Sequence, residues 1–119
     1  MEKLVKIGIL YDFYGKLLSE KQEQVIELYY LYDLSLTEIG EELDITKQGV
    51  SDILKRAEKK LLKFEDTLGL VNKFRSSHNN IRQIINLCDE LKDFSNENNL
   101  VDIDAKAQKI EEICLKILE

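Results

Sequence analysis

Two helix starts lie only eleven residues apart in the first half of the chain, and this spacing restricts the fold more than any other feature. Ser35 is followed three residues later by Glu38, which is the pattern of a capping box, and Thr46 has the character of an N-cap before a longer helical stretch. Asp44-Ile45 leaves room for nothing longer than a tight turn. Two helices joined so closely pack steeply against each other, so the segment predicts a helix-turn-helix.

The apolar and small residues of this segment have the offsets that such packing requires. The first helix needs a small residue where the second helix approaches, and Gly40 occupies that position because any larger side chain would clash there. The turn and the second helix supply further apolar positions at helical spacing. The residues predicted to be buried are Ile39, Leu43, Ile45, Val50 and Ile53.

The rest of the chain also has the character of helix, so the predicted fold class is all-α. The sequence contains no proline and only five glycines, and it is rich in Leu, Ile, Glu and Lys. Ser19 and Gln22 form a second capping-box pattern. Amphipathic stripes predict a first helix over residues 3–15 and a second one from Ser19 to a break at Asp33.

Beyond Phe64 the apolar stripe continues to Phe74, and the polar cluster at residues 76–80 predicts an interruption. Two more helices are expected, one ending near Phe94 and one near the carboxyl end, with a polar linker at residues 95–99. We therefore expect an amino-terminal helix packed on the core (1–18), a helix-turn-helix domain (19–63) and a helical extension (64–119). The extension is the expected dimerisation region.

The distribution of charge is uneven along the chain. The formal net charge is -6, yet the segment 46–63 has six basic residues against two acidic ones. Local potential matters more to a polyanion than total charge, so this basic block is a candidate nucleic-acid surface. The alternative is a solvated face of an ordinary helical hairpin.

The outer face of the second helix supplies the candidate contact residues. Gln48 can pair with adenine through two hydrogen bonds, and Lys47 or Lys55 can reach guanine or phosphate. The amino termini of both helices offer backbone donors to phosphate. The predicted base or backbone contacts are Lys47, Gln48, Ser51 and Lys55, and the predicted phosphate contacts are Arg56, Lys59 and Lys60.

The stretch LLSEKQEQVIELYYLYDLSLTEIGEELDITKQGVSDILKRAEKKL, residues 17–61, resembles region 4 of bacterial sigma factors. It is still more similar to the YlxM family of small helix-turn-helix proteins, with the segments LYDFYGKLL, LYYLYDLSL and SDILKR. The resemblance implies a sigma-region-4-like DNA-binding fold with a helical extension and a regulatory link to the signal recognition particle pathway.

Three positions depart from these patterns. Asp52 stands where sigma factors tend to have a basic residue, and an acidic group there repels phosphate. Ser51 stands where YlxM-like proteins usually have an aromatic residue. Asp44 replaces the turn glycine of sigma factors, and aspartate adopts the left-handed conformation at modest cost, so the turn is expected to survive.

Other residue types favour a binding protein over an enzyme. No Ser-His-Asp set, carboxylate pair or glycine-rich phosphate loop is visible, and no cofactor or metal is expected. Cys88 and Cys114 are expected to be buried, reduced core residues. His78 is expected to be exposed or to cap a helix in the polar cluster. The tyrosines could stack on bases, but their helical spacing favours the core: Tyr11, Tyr14, Tyr29, Tyr30 and Tyr32.

Localisation and partners follow from the same reasoning. No apolar run is long enough to span a bilayer. The start, MEKLVKIGILY, resembles a signal peptide, but its apolar core stops after about five residues at Tyr11-Asp12, so a cytoplasmic protein without membrane contact is expected. A lone helix-turn-helix usually binds two half-sites, which favours a homodimer. DNA is the preferred partner, with structured RNA or a signal recognition particle protein as the alternatives for an accessory factor.

Overall fold

The computed structural model describes residues 2–119, within which it contains six α-helices and no strand. The chain is 88% helical, so the all-α prediction is confirmed. It divides into two compact units, the first ending at Val71 and the second covering Asn72–Glu119. The helices are α1 (Lys3–Tyr14), α2 (Glu20–Ile26), α3 (Leu36–Leu43), α4 (Lys47–Leu68), α5 (Leu70–Asn98) and α6 (Val101–Leu118).

Helix α4 is the centre of the first unit, and α1, α2 and α3 all pack against it. A 3₁₀ turn, Gly15–Leu17, follows α1, and a π-helical segment, Glu27–Leu31, extends α2. The core is aliphatic apart from one tyrosine, and burial of these side chains supplies the main stabilising free energy. Its buried members are Ile7, Leu10, Tyr14, Leu18, Val25, Ile26, Ile39, Val50, Leu54, Ala57, Leu61 and Val71.

The helix-turn-helix has the predicted local geometry. Asp44 ends α3 in the left-handed conformation with φ 57°, as expected for the residue in place of glycine. A Cβ on Gly40 would lie 2.7 Å from the carbonyl oxygen of Ile45, so the close neighbour is the turn itself more than the body of the second helix. Of the five residues predicted to be buried, Ile39 and Val50 are fully buried, whereas Leu43, Ile45 and Ile53 are half-buried and pack on the core.

Side-chain caps define the helix starts as predicted. Both capping boxes are present, Ser19 with Gln22 and Ser35 with Glu38. The Thr46 hydroxyl accepts a hydrogen bond from the Gly49 amide at 2.9 Å. These bonds satisfy amide groups that have no partner within the helix.

Helix α4 ends at Gly69, which has a left-handed φ of 61°. Two side chains from elsewhere then cap α5. The buried Tyr14 hydroxyl donates to Glu65 and accepts a hydrogen bond from the Leu70 amide at 3.0 Å. The Val71 amide donates to Glu65 Oε1 at 3.1 Å. Burial and the Glu65 carboxylate raise the pKa of Tyr14, so its hydroxyl remains a donor.

The second unit differs from the expectation in its helix boundaries. The polar cluster at residues 76–80 does not interrupt the chain, because α5 continues through it to Asn98. Polar residues have only a weak bias against helix, and the apolar residues on either side of the cluster keep one helical stripe. The predicted linker at 95–99 is also wrong in extent. Only Asn99 and Leu100 separate α5 from α6, and Asn99 has a left-handed φ of 56°.

Helices α5 and α6 form a hairpin. Lys92 joins them by donating to Gln108 at 2.9 Å and to Glu111 at 3.2 Å. Cys88 and Cys114 are buried, as expected, and no disulfide joins them. Burial raises the pKa of the Cys88 thiol.

Two aromatic predictions need correction. Tyr32 is 68% exposed, because the π-helical segment ends there and turns its side chain away from the core. The other four tyrosines are buried or packed on the core, as expected. His78 neither caps a helix nor lies exposed in a turn. It is half-buried inside α5, with its ring centroid 3.9 Å from that of Phe74.

Candidate nucleic-acid interface

Helix α4 presents one face to the core and the opposite face to solvent. Its buried stripe contains Val50, Leu54, Ala57, Glu58 and Leu61, at the spacing of 3.6 residues per turn. The opposite face is therefore free of core contacts.

No helix in the described part of the chain is long and apolar enough to cross a membrane.

Six of the seven predicted contact residues are exposed, and Ser51 is half-buried. Helical geometry puts Gln48, Lys55 and Lys59 on the face opposite the core. The other predicted contacts lie on its two flanks. The exposed residues are Lys47, Gln48, Lys55, Arg56, Lys59 and Lys60.

Two of these side chains are already hydrogen-bonded. Gln48 Nε2 donates to Asp52 Oδ1 at 3.0 Å, which orients the amide and leaves its oxygen and second N–H available. Lys60 Nζ donates to Gln22 Oε1 on α2 at 3.2 Å, so it is turned toward one flank. Lys60 is therefore a weaker candidate for direct contact than Lys59.

The two helix amino termini differ in their suitability for phosphate. In α3 the carboxylate of Glu38 accepts a hydrogen bond from the Ser35 amide at 3.0 Å, and this bond holds the pKa of Glu38 below its ordinary value. An anion there would meet that negative charge. The first turn of α4 contains no acidic residue and begins with Lys47. The α4 terminus is thus the better site for phosphate.

One basic residue of the same face was not among the predicted contacts. Lys63 is exposed and follows Lys55 and Lys59 at intervals of four residues, so the three ammonium groups form a row along α4. Eight residues of helix span about 12 Å. The i, i+4 spacing in the sequence was a sufficient signal to include Lys63.

Comparison with known proteins identifies relatives of similar size. A UPF0122 protein from Desulforamulus reducens is 49% identical over 89 residues, which cover 75% of this chain and 76% of the relative. A UPF0122 protein from Thermoanaerobacter sp. is 54% identical over 76 residues, covering 64% and 65%. One from Clostridium kluyveri is 43% identical over 91 residues, covering 76% and 82%.

The model of one protein family matches residues 1–113, which is nearly the whole chain. Its description is "Putative helix-turn-helix protein, YlxM / p13 like". The match includes both helices of the helix-turn-helix and most of the second unit. The chain belongs to the UPF0122 family of YlxM / p13-like helix-turn-helix proteins.

Proposed function

We propose that this chain is a nucleic-acid-binding regulatory protein that uses α4 as its recognition helix, with duplex DNA as the preferred target. The observation that carries the proposal is the exposed cationic face of α4 in a chain of net charge -6. Basic charge concentrated beside a helix amino terminus without acidic residues attracts phosphate, even though the net charge of the chain is negative.

The proposed roles follow from position along α4. Lys47 and Gln48 lie in the first turn, where recognition helices contact base edges, and the oriented Gln48 amide suits adenine. Ser51 and Lys55 follow one and two turns later. Arg56 and Lys59 suit phosphate, with Lys63 extending the row and Lys60 contributing from the flank. DNA is favoured over duplex RNA because its major groove admits an α-helix, whereas that of A-form RNA does not.

The domain assignment is part of the same proposal. Residues 19–63 act as a sigma-region-4-like helix-turn-helix domain, residues 1–18 as its packing helix and residues 64–119 as the dimerisation region. The protein acts as a cytoplasmic homodimer, in which the helix-turn-helix of each copy binds one DNA half-site. The protein acts by binding and catalyses no reaction.

Exposed apolar side chains support dimerisation through the second unit. A hairpin of two helices covers only one side of each helix, and large side chains on the remaining surface favour burial against a partner. A second copy of this chain offers the same surface. These exposed residues are Ile84, Leu87, Leu91, Phe94, Ile110, Ile113, Leu115 and Ile117.

The charge pattern of α5 favours an antiparallel pairing of the two copies. Its first part, residues 72–88, contains three basic residues and no acidic one. Its last part, residues 89–98, contains four acidic residues and Lys92. In an antiparallel pair each basic part faces an acidic part of the partner, whereas a parallel pair would bring like charges together.

A second candidate function is that of an accessory factor of the signal recognition particle. Asp52 favours it, because this exposed carboxylate lies within the proposed DNA face and repels phosphate. In this alternative the helix-turn-helix is a scaffold that docks a particle protein, or binds particle RNA by shape and phosphate contact.

Salt-dependent binding to duplex DNA and structured RNA tests the proposal. Fluorescence anisotropy should show binding with a steep salt dependence, and Lys47→Glu/Lys55→Glu should abolish it. The matched control is Lys6→Glu/Lys21→Glu, which makes the same charge change at exposed positions of α1 and α2, outside both the α4 face and the proposed dimerisation region. Loss of one phosphate contact lowers the salt slope by about one unit.

The outcomes separate the candidates. Tighter binding to DNA than to RNA supports the first proposal, and tighter binding to RNA supports the second. Equal losses in both double variants would show that total charge, and not the α4 face, governs binding. Absence of binding to either polymer at low salt would contradict a nucleic-acid role and leave the protein-docking alternative.

A further inference from the structure

A cavity of about 660 Å³ lies within the first unit, beside the core-facing side of α4. Its walls come from the start of α1, the π-helical segment, the loop before α3, the first turn of α3, and the side of α4 that carries Ser51, Leu54, Lys55 and Glu58. Leucine side chains supply the apolar part of the lining, and Tyr29 and Tyr30 supply aromatic rings. Small-molecule sites have this range of size and this mixture of apolar walls with a few polar groups.

Glu58 is the polar group that distinguishes this cavity. It is 9% exposed and lies on the buried stripe of α4, where a charge is costly unless it is paired. The Tyr30 hydroxyl donates to Glu58 Oε1 at 2.6 Å. Burial, and then this bond to Glu58, raise the pKa of Tyr30, so the phenol stays protonated and continues to donate.

The second oxygen of Glu58 pairs with an ammonium group that is held loosely. Lys3 Nζ lies 2.9 Å from Glu58 Oε2, but the Lys3 side chain is 69% exposed, whereas that of Glu58 is 12% exposed. An exposed lysine can leave such a pair at little cost, because water solvates its ammonium group. The buried carboxylate then requires another cation.

Two aromatic rings lie in the wall of the same cavity. The rings of Tyr29 and Tyr30 meet edge to face, with centroids 5.0 Å apart. The face of a tyrosine ring attracts organic cations. Asp33 and Glu38 bring the carboxylates of the cavity wall to three, against the ammonium groups of Lys3 and Lys55. The excess of negative charge grows when Lys3 leaves, which favours a positive ligand over an anionic or neutral one.

We propose that this cavity binds a small organic cation with a primary ammonium or guanidinium group, which replaces the ammonium of Lys3 at Glu58. Without the ligand, the Lys3 ammonium group occupies the position beside Glu58 that the cationic group of the ligand would take. The ligand pairs with the buried carboxylate and its apolar part packs against the leucine and tyrosine side chains. The binding step does not depend on nucleic acid, so its test is independent of the proposed function.

Titration of the labelled protein with 1,4-diaminobutane, followed by amide chemical shifts, tests this site. The expected shifts map to Tyr29, Tyr30 and Leu54, and neutral 1,4-butanediol should cause none. Lys3→Ala should tighten binding by about threefold, because it removes the competing ammonium. Glu58→Gln should abolish the shifts while retaining an oxygen that accepts the Tyr30 hydroxyl. Glu41→Gln, at an exposed position outside the cavity, is the control.

Two features of the chain keep the test decisive. Glu20, Glu23 and Glu27 line a separate acidic groove, so non-specific attraction of the diamine would shift amides there as strongly as in the cavity. That result, or unaltered binding by Glu58→Gln, would overturn the proposal. If Glu58→Gln does not fold, the affinity of Lys3→Ala for the diamine tests the proposal. Unchanged or weaker binding by that variant contradicts the site.

Discussion

Gly40 and Ile45 are in backbone contact across the turn of the helix-turn-helix. The Ile45 amide donates to the Gly40 carbonyl at 2.9 Å. A Cβ added to Gly40 would lie 2.7 Å from the Ile45 carbonyl oxygen and 3.6 Å from the Lys47 amide nitrogen. Because residue 40 has no side chain, the turn and the first residue of α4 can lie directly against α3.

Gly40→Ala is therefore expected to destabilise the first unit. The clashing atom belongs to the backbone, which cannot move without disturbing the turn, and we expect a loss of about 2 kcal/mol or more in the free energy of unfolding. Chemical denaturation measures it. Gly8→Ala is the control, since no atom lies within 4 Å of its added Cβ and the greater helix propensity of alanine should stabilise α1. A neutral Gly40→Ala would contradict this packing.

Asp52→Asn is expected to strengthen DNA binding by about two- to fivefold at low salt, with the gain disappearing at high salt. The substitution removes a negative charge from the proposed interface, and its amide oxygen can still accept the hydrogen bond from Gln48. Anisotropy titrations at several salt concentrations measure the effect. Asp12→Asn makes the same charge change on α1, and an equal gain in that variant would assign the effect to total charge.

The antiparallel dimer predicts a particular response to charge reversal in α5. Changing the basic residues of its first part to glutamate should weaken self-association by about tenfold or more, because like charges would then face each other. Changing three acidic residues of its last part to lysine should do the same. Sedimentation equilibrium measures both. The first set is Lys73, Arg75 and Arg82, and the second is Glu90, Asp93 and Glu97.

Combining the two sets in one chain provides the control. The reversed halves are again complementary in an antiparallel pair, so association should recover. A chain that dimerises equally well in all four forms would contradict the antiparallel arrangement. A wild-type protein that remains a monomer at micromolar concentration would contradict the dimer itself.

The capping box at Ser35 predicts a pH dependence of stability. The bond from the Ser35 amide lowers the folded-state pKa of Glu38 below its ordinary value of 4.5. A depressed carboxyl pKa contributes stability above the unfolded value, and that contribution is lost as the pH falls through the lower, folded value. Glu38→Gln retains a cap without a titrating group. Its deficit in Tm relative to the wild type should be present at pH 7 and shrink toward pH 3, whereas a constant deficit would exclude titration of Glu38.

Much of the first unit was predictable because its signals are local. The hydrogen bonds of Ser19, Ser35 and Thr46 join groups three residues apart, so the residues that form them can be recognised in the sequence. The turn at Asp44 was predictable for the same reason. The exposed positions of α4 followed from its periodicity, which assigns each residue to the core or to solvent.

The helix boundaries of the second unit were less predictable. The cluster at residues 76–80 and the linker at 95–99 are rich in polar residues, and composition alone favours a break. Helix formation is cooperative, however, and each added residue gains a backbone hydrogen bond once the helix is established. The glycine at position 69 ended a helix instead, because it takes a left-handed conformation at little cost.

The sequence by itself determined where the helices of the first unit begin, that Ile39 and Val50 lie in its core, and which face of α4 carries the positive charge, because each depends on neighbours within one or two turns. Tertiary structure alone decided the surroundings of Glu58 and Glu65. Tyr30 and Lys3 reach Glu58 from 28 and 55 positions away, and Tyr14 reaches Glu65 from 51. Only packing brings such distant groups together, and a buried carboxylate is stable only where that packing supplies its partners.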